Sequence, residues 1–229
     1  GQIKPNVTVA PFLGNLPLWS LAYEWWFYMI FFVFETYFKH RSSYAVYILA
    51  ILGTISLLIY PNFTSRIFSY LIIWWCGAEM AAIYIEKELK LHRLFKPLAI
   101  LLLCILILVA NIYLNAEKLY QELGTSSIGI SPYLELRHFT FAFLAILGAF
   151  LWRSKNWFLF DRTVGLCEPL ARISYTLYIS HYFLVSNATY LNNITVYSPL
   201  RYGLYFFICI IVCIFIELKL YRIIYKRVF

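Results

Sequence analysis

What most limits this chain is a series of apolar blocks, each about as long as the hydrocarbon core of a lipid bilayer is thick. A helix rises about 1.5 Å per residue, so a core of about 30 Å takes roughly 20 residues to cross, and these blocks run to roughly 17–21 with polar joints between them. Seven can be drawn, at roughly 18–38, 44–60, 66–85, 97–114, 133–152, 170–190 and 202–218. With 62% hydrophobic and 13% charged residues and a mean hydropathy of +0.73, a soluble fold is excluded. The expected fold class is all-α: a polytopic transmembrane helix bundle of about seven spans, one domain over residues 1–229.

The basic residues give the expected orientation. Lys39 and Arg41, then Lys87, Lys90, Arg93 and Lys96, then Arg153, Lys155, Arg162 and Arg172, then Lys219, Arg222, Lys226 and Arg227 fall in alternate joints. These are fourteen of the nineteen; Lys4, Arg66, Lys118, Arg137 and Arg201 are left on the other side. The positive-inside rule then puts the N-terminus outside and the C-terminus in the cytoplasm. The alternation also supports seven spans, because a missed span would swap every later joint. A net charge of +8 would suggest nucleic acid for a soluble protein, but topology accounts for it here and the partner expected is the bilayer. Trp74, Trp75, Trp152 and Trp157 are expected to anchor the chain where ring and headgroup meet.

Five cysteines without a CxxC spacing support neither a disulfide framework nor a zinc site, and no metal or bound cofactor is expected. The chain opens on Gly1, and no basic segment precedes the first block, so that block is not a signal peptide. The N-terminus of the natural protein is expected further upstream. Asn-x-Thr triplets at Asn6, Asn62, Asn187 and Asn193 all fall on the expected outer side; in a bacterium they would mean nothing, and polar composition alone explains them.

An ionisable side chain in a membrane helix costs about 2.5–3.5 kcal/mol at mid-span on insertion scales, which makes each one a functional candidate. Glu24 lies about 9 Å into the first span, with Ser20 a turn above it and Tyr28 a turn below, so hydroxyl, carboxylate and phenol share one face. His181 sits mid-way along the sixth block, where Ser174, Tyr178 and His181 follow at helical spacing; an imidazole there can act as base, orienter or hydrogen-bond donor. Glu79 and Glu217 are weaker candidates, and Arg137 and His138 open the fifth span on its outer side. For each, a packing or solvated role is the simpler alternative.

The stretch Trp19-Ser20-Leu21-Ala22-Tyr23-Glu24-Trp25-Trp26-Phe27-Tyr28 resembles the WSLxxExxFY-like segment of the membrane-bound acyltransferase 3 family. Ile173 to His181 is similar to that family's later ISYxxYLxH segment, with Ile179 where Leu is usual, and Phe215-Ile216-Glu217 resembles the close of its last span. The resemblance implies a ten-helix domain that takes an acyl group, typically acetyl, from cytoplasmic acyl-CoA and esterifies a hydroxyl of an extracytoplasmic glycan such as O-antigen, exopolysaccharide or peptidoglycan. It implies a bacterial inner-membrane enzyme and casts this chain as the C-terminal part, lacking about three helices or completed by a separate N-terminal half. The family's first-helix His, held to be the catalytic base, has no match before Leu18, so no residue takes that role.

Ser20, Glu24 and His181 are the catalytic candidates that remain; Trp19, Tyr28, Ser174, Tyr178, Arg137 and His138 are the substrate-binding ones. Arg153, Lys155, Arg162 and Arg172 are expected to attract the CoA phosphates. A glycan or lipid transporter and a non-catalytic scaffold are the rival readings. The transporter predicts spans broken at mid-membrane Gly or Pro, whereas Gly53, Gly77 and Gly148 stand singly.

Overall fold

The computed structural model describes residues 14–15, 18–38, 42–85, 91–117, 119, 131–186, 188–192, 198–220 and 223; the side chains of Trp19, Ser42, Leu91, His92 and Pro169 lie outside that description. Every regular element among the described residues is helical. The helices are α1 (Trp19–Tyr37), α2 (Ser42–Ile59), α3 (Phe63–Ile85), α4 (Leu91–Leu114), α5 (Tyr133–Ser154), α6 (Ser174–His181) and α7 (Ser198–Ile214). By length and composition, four are fit to cross a membrane: α3, α4, α5 and the run Ser198–Leu220, with α2 a shorter apolar helix. The chain is an all-helical integral membrane protein. It divides into two compact units, Gly1–Thr8 with Ala22–Trp157 and Val9–Leu21 with Phe158–Phe229.

In the first unit α2 packs against α3 and α4, and α5 packs against both α3 and α4. The approach of α2 to α3 is set by small residues. A Cβ on Gly53 would lie 2.7 Å from both Phe68 Cβ and the Ser69 backbone N, and beside it Thr54 and Ser69 join their hydroxyls at 3.0 Å. In a bilayer, where lipid is as apolar as leucine, such close backbone contact is a main source of helix association. Gly53→Ala is therefore expected to destabilise the purified protein by about 1–3 kcal/mol. An unchanged thermal unfolding midpoint in detergent would refute this packing account.

The α1–α3 contact is built differently, from large rings meeting edge to face or tilted. Tyr23 meets Phe63 and Tyr70 at centroid distances of 5.6 and 6.2 Å, and one turn on Phe27 lies 6.1 Å from Trp74. Phe31 follows, 5.6 Å from Trp74 and 6.0 Å from Trp75. These contacts advance together along both helices, so α1 and α3 run parallel, as alternate spans must. The Trp74 and Trp75 rings, expected as interfacial anchors, thus line a helix contact.

Local chemistry sets the helix ends. At the start of α3, Asn62 Oδ1 accepts from Ser65 N at 2.9 Å and Asn62 N donates to Ser65 Oγ at 3.2 Å, a reciprocal cap. Asn62, one of the four Asn-x-Thr positions, therefore spends its amide oxygen on the helix, while its Nδ2 donates to Tyr60 O at 3.0 Å; Asn6, Asn187 and Asn193 lie outside the described residues. At the end of α5, Trp157 N reaches Trp152 O and Asn156 N reaches Arg153 O, with Asn156 in the left-handed region at φ 51° and the Trp152 and Trp157 rings 5.4 Å apart. This is the Schellman stop, asparagine standing where glycine is usual and the ring pair closing it.

Two expected boundaries change. The fourth helix starts at Leu91 and runs through Pro97, upstream of the apolar count that located it. The sixth block is not one continuous helix: a 3₁₀ turn at Val164–Cys167 and one α-turn at Glu168–Ala171 precede a break, after which α6 runs only eight residues before a π-helical turn at Tyr182–Ser186. Ser174 explains the break in part, because its hydroxyl donates to Ala171 O at 2.8 Å and competes with the backbone ladder. In this second unit α6 packs on α7 through Ile173, Cys209 and Cys213.

Candidate active site

The second unit brings Ser20 to Tyr178 and His181, residues of α6 that lie far from it in sequence. The Ser20 hydroxyl and the Tyr178 phenol are hydrogen-bonded, and His181 Nδ1 lies 2.7 Å from the carbonyl oxygen of Tyr178. A carbonyl can only accept, so Nδ1 must carry the proton. In the neutral ring Nε2 then holds a free lone pair, which can accept a hydrogen bond or a proton from a hydroxyl. The Tyr178 and His181 rings lie 6.0 Å apart, and both residues are half-buried, so the imidazole is supported without being sealed.

Asn15 braces this group. It is 1% exposed, and its Nδ2 donates to Ile179 O at 2.8 Å, just before α6 changes to π spacing. Such a change shifts the backbone ladder by one residue, and π turns are frequent at functional sites. Deeper along α6, Thr176 donates to Glu217 Oε2, and Ser180 donates to Thr176 O at 2.7 Å while lying 3.3 Å from Cys213 Sγ. Glu217 itself lies in a second π turn, Phe215–Leu220, so it is tied to α6 and does not stand free at the helix end.

The other expected residues are placed as follows. Glu24 is exposed on α1 and belongs to the first unit, as does Tyr28, exposed with its ring 5.6 Å from Trp74. The Trp19 side chain lies outside the described residues. Ser174 is exposed and bonded to Ala171, so it does not join Tyr178 and His181. Glu79 accepts from Ser43 Oγ at 3.2 Å, a contact between α2 and α3. Arg153 lies 5.9 Å above the Trp157 ring, and Lys155 is exposed beside it in the first unit. Arg162 and Arg172 are exposed in the second, Arg172 at 3.8 Å from Glu168 in a solvent-facing pair of small worth.

A polar centre of which the sequence reading singled out only His138 lies at the start of α3 and α5. Arg66 Nη2 and Glu135 Oε1 are 2.7 Å apart, with side chains 7% and 0% exposed, and one rung further on Tyr70 Oη bonds His138 Nδ1 at 2.8 Å. Arg137, beside His138, is exposed. The signal was available: Arg66 and Tyr70 stand at i, i+4 and Glu135 and His138 at i, i+3, matched polar pairs at equal depth on parallel spans.

A helical membrane protein with a hydroxyl–phenol–imidazole group is equipped to hold and orient a hydroxyl substrate. The family model described as an acyltransferase domain, Acyl_transf_3, matches residues 2–218, and the chain belongs to the acyltransferase 3 family. No curated protein and no solved structure matches it.

Proposed function

We propose that the protein transfers an acyl group, in the simplest case acetyl, from cytoplasmic acyl-CoA to a hydroxyl of an extracytoplasmic glycan, from a bacterial inner membrane with its C-terminus inside. The observation that carries this reading is the fixed tautomer of His181, whose Nε2 is left free to receive a hydroxyl. The acceptor hydroxyl donates to Nε2 as its oxygen attacks the thioester carbonyl. The carbon–sulfur bond breaks, the ester forms, and the hydroxyl proton leaves with the thiolate as free CoA. Ser20 and Tyr178 hold the imidazole's helix in place, and the base role is assigned to no residue of this sequence. Trp19 and Tyr28 offer ring surface to sugar or acyl chain. Arg153 and Lys155, with Arg162 and Arg172 in the same joint, draw the CoA phosphates. A separate N-terminal half, where one exists, is a partner.

The broken sixth span would suit a transporter, but membership of an acyltransferase family weighs against that reading. The test uses membranes containing the full-length protein, given acetyl-CoA labelled in the acetyl group. Label should enter polysaccharide and be released by mild alkali. No transfer by the unmodified protein would leave the transporter and scaffold readings.

A further inference from the structure

Two rungs cross from α3 to α5. The first is the Arg66–Glu135 ion pair, buried among rings: Tyr23 is 5% exposed, and Phe139, next to His138, is fully buried. The second is the Tyr70–His138 bond. Both rungs advance in the same direction along the two helices, so α3 and α5 are parallel and the rungs lie at the same end of each.

The two rungs differ in access. The ion pair is closed off, its two side chains 7% and 0% exposed, so this pair is not a surface for ligand. His138 is half-buried, and the exposed Arg137 precedes it. The Tyr70 ring is wedged edge to face, 5.2 Å from Phe139 and 5.9 Å from the His138 ring, so the phenol has little freedom to turn. With Nδ1 committed to that phenol, Nε2 is the polar atom His138 has left to offer. A phenol can donate or accept, so unlike His181 this imidazole can present Nε2 either as N–H or as lone pair. That suits a sugar, whose hydroxyls do both.

We propose that Tyr70 is a positioning residue: it holds His138 by Nδ1 so that Nε2 meets a hydroxyl of the glycan acceptor, while the Arg66–Glu135 pair fixes the two helices that carry them. The proposal rests on the acyltransferase reading and adds an acceptor contact separate from the Ser20–Tyr178–His181 group. Tyr70 acts through His138, so removing the phenol should matter only while the imidazole is there to be held.

The test is made in the natural host, where the acceptor is present whatever its sugar. The full-length gene is deleted and restored as the unmodified form, Tyr70→Phe, His138→Ala, or both, and alkali-released acetate is measured on the envelope polysaccharide against the amount of protein. Tyr70→Phe keeps the ring packing and should lower ester acetate about tenfold at equal protein. The double variant should equal His138→Ala alone, and the KM for acetyl-CoA in membranes should not move. A merely structural role would instead let the two losses multiply, or lower the protein level with the acetate, and either result overturns the proposal, as does full acylation by Tyr70→Phe. If that variant is poorly made, His138→Gln decides. Its amide still gives the Tyr70 hydroxyl a partner while losing Nε2, so loss of acetate at normal protein supports the proposal and retention overturns it. Deletion without any effect on acetate removes the acyltransferase reading and this proposal with it.

Discussion

Replacing His181 with alanine in the full-length protein is expected to cut acyl transfer at least about a hundredfold while leaving the protein in the membrane. The size follows from geometry, since misplacing a reacting hydroxyl by about 1 Å can cost about 10²-fold in rate. His181 ends α6, and its ring is tied to the helix by the 2.7 Å bond to Tyr178 O. Truncation therefore removes the acceptor's partner with little change in packing, since the residue is only half-buried. Tyr178→Phe should cost less, because it removes the bond to Ser20 but leaves the carbonyl that orients the imidazole. Initial rates of label transfer from acetyl-CoA to polysaccharide measure both. Equal rates for His181→Ala and the unmodified protein would remove the Ser20–Tyr178–His181 group from the chemistry.

The largest effect on stability is expected at the Arg66–Glu135 pair. Glu135→Ala leaves the Arg66 guanidinium buried without its counter-charge, which should destabilise the protein by about 3–5 kcal/mol. The paired substitution Arg66→Met with Glu135→Leu removes both charges and the need to desolvate them, so it should lie within about 1–2 kcal/mol of the parent. Unfolding in mixed micelles, titrated with a denaturing detergent, reads both. If the paired variant is as unstable as the single one, the ion pair is not what makes Glu135 important. A small effect of Glu135→Ala would mean that water reaches this site.

The straight helices were legible because their signal is length: α1 to α5 and α7 lie within a few residues of the blocks drawn from apolar runs, apart from the early start of α4 through Pro97. The sixth span was not, because an apolar count cannot see a serine hydroxyl taking a backbone carbonyl, or a ladder shifting to π spacing. Ser20, Tyr178 and His181 could each be picked out by helical spacing. Their meeting could not, since the Ser20–Tyr178 bond joins positions 158 residues apart. Ser174 shares a face with Tyr178 and His181 by spacing, yet it is consumed by the turn before α6. Arg66 and Glu135 were passed over for a physical reason: charges at the start of a span are usually solvated, and only packing shows that these two are buried.

The most direct test of the account is the content of ester-linked acyl groups on the envelope polysaccharide, measured by nuclear magnetic resonance before and after mild alkali, in cells carrying the full-length gene, lacking it, or carrying His181→Ala. The account predicts acyl signals in the first, lost on alkali treatment, and none in the other two. The same signals in cells lacking the gene would contradict it.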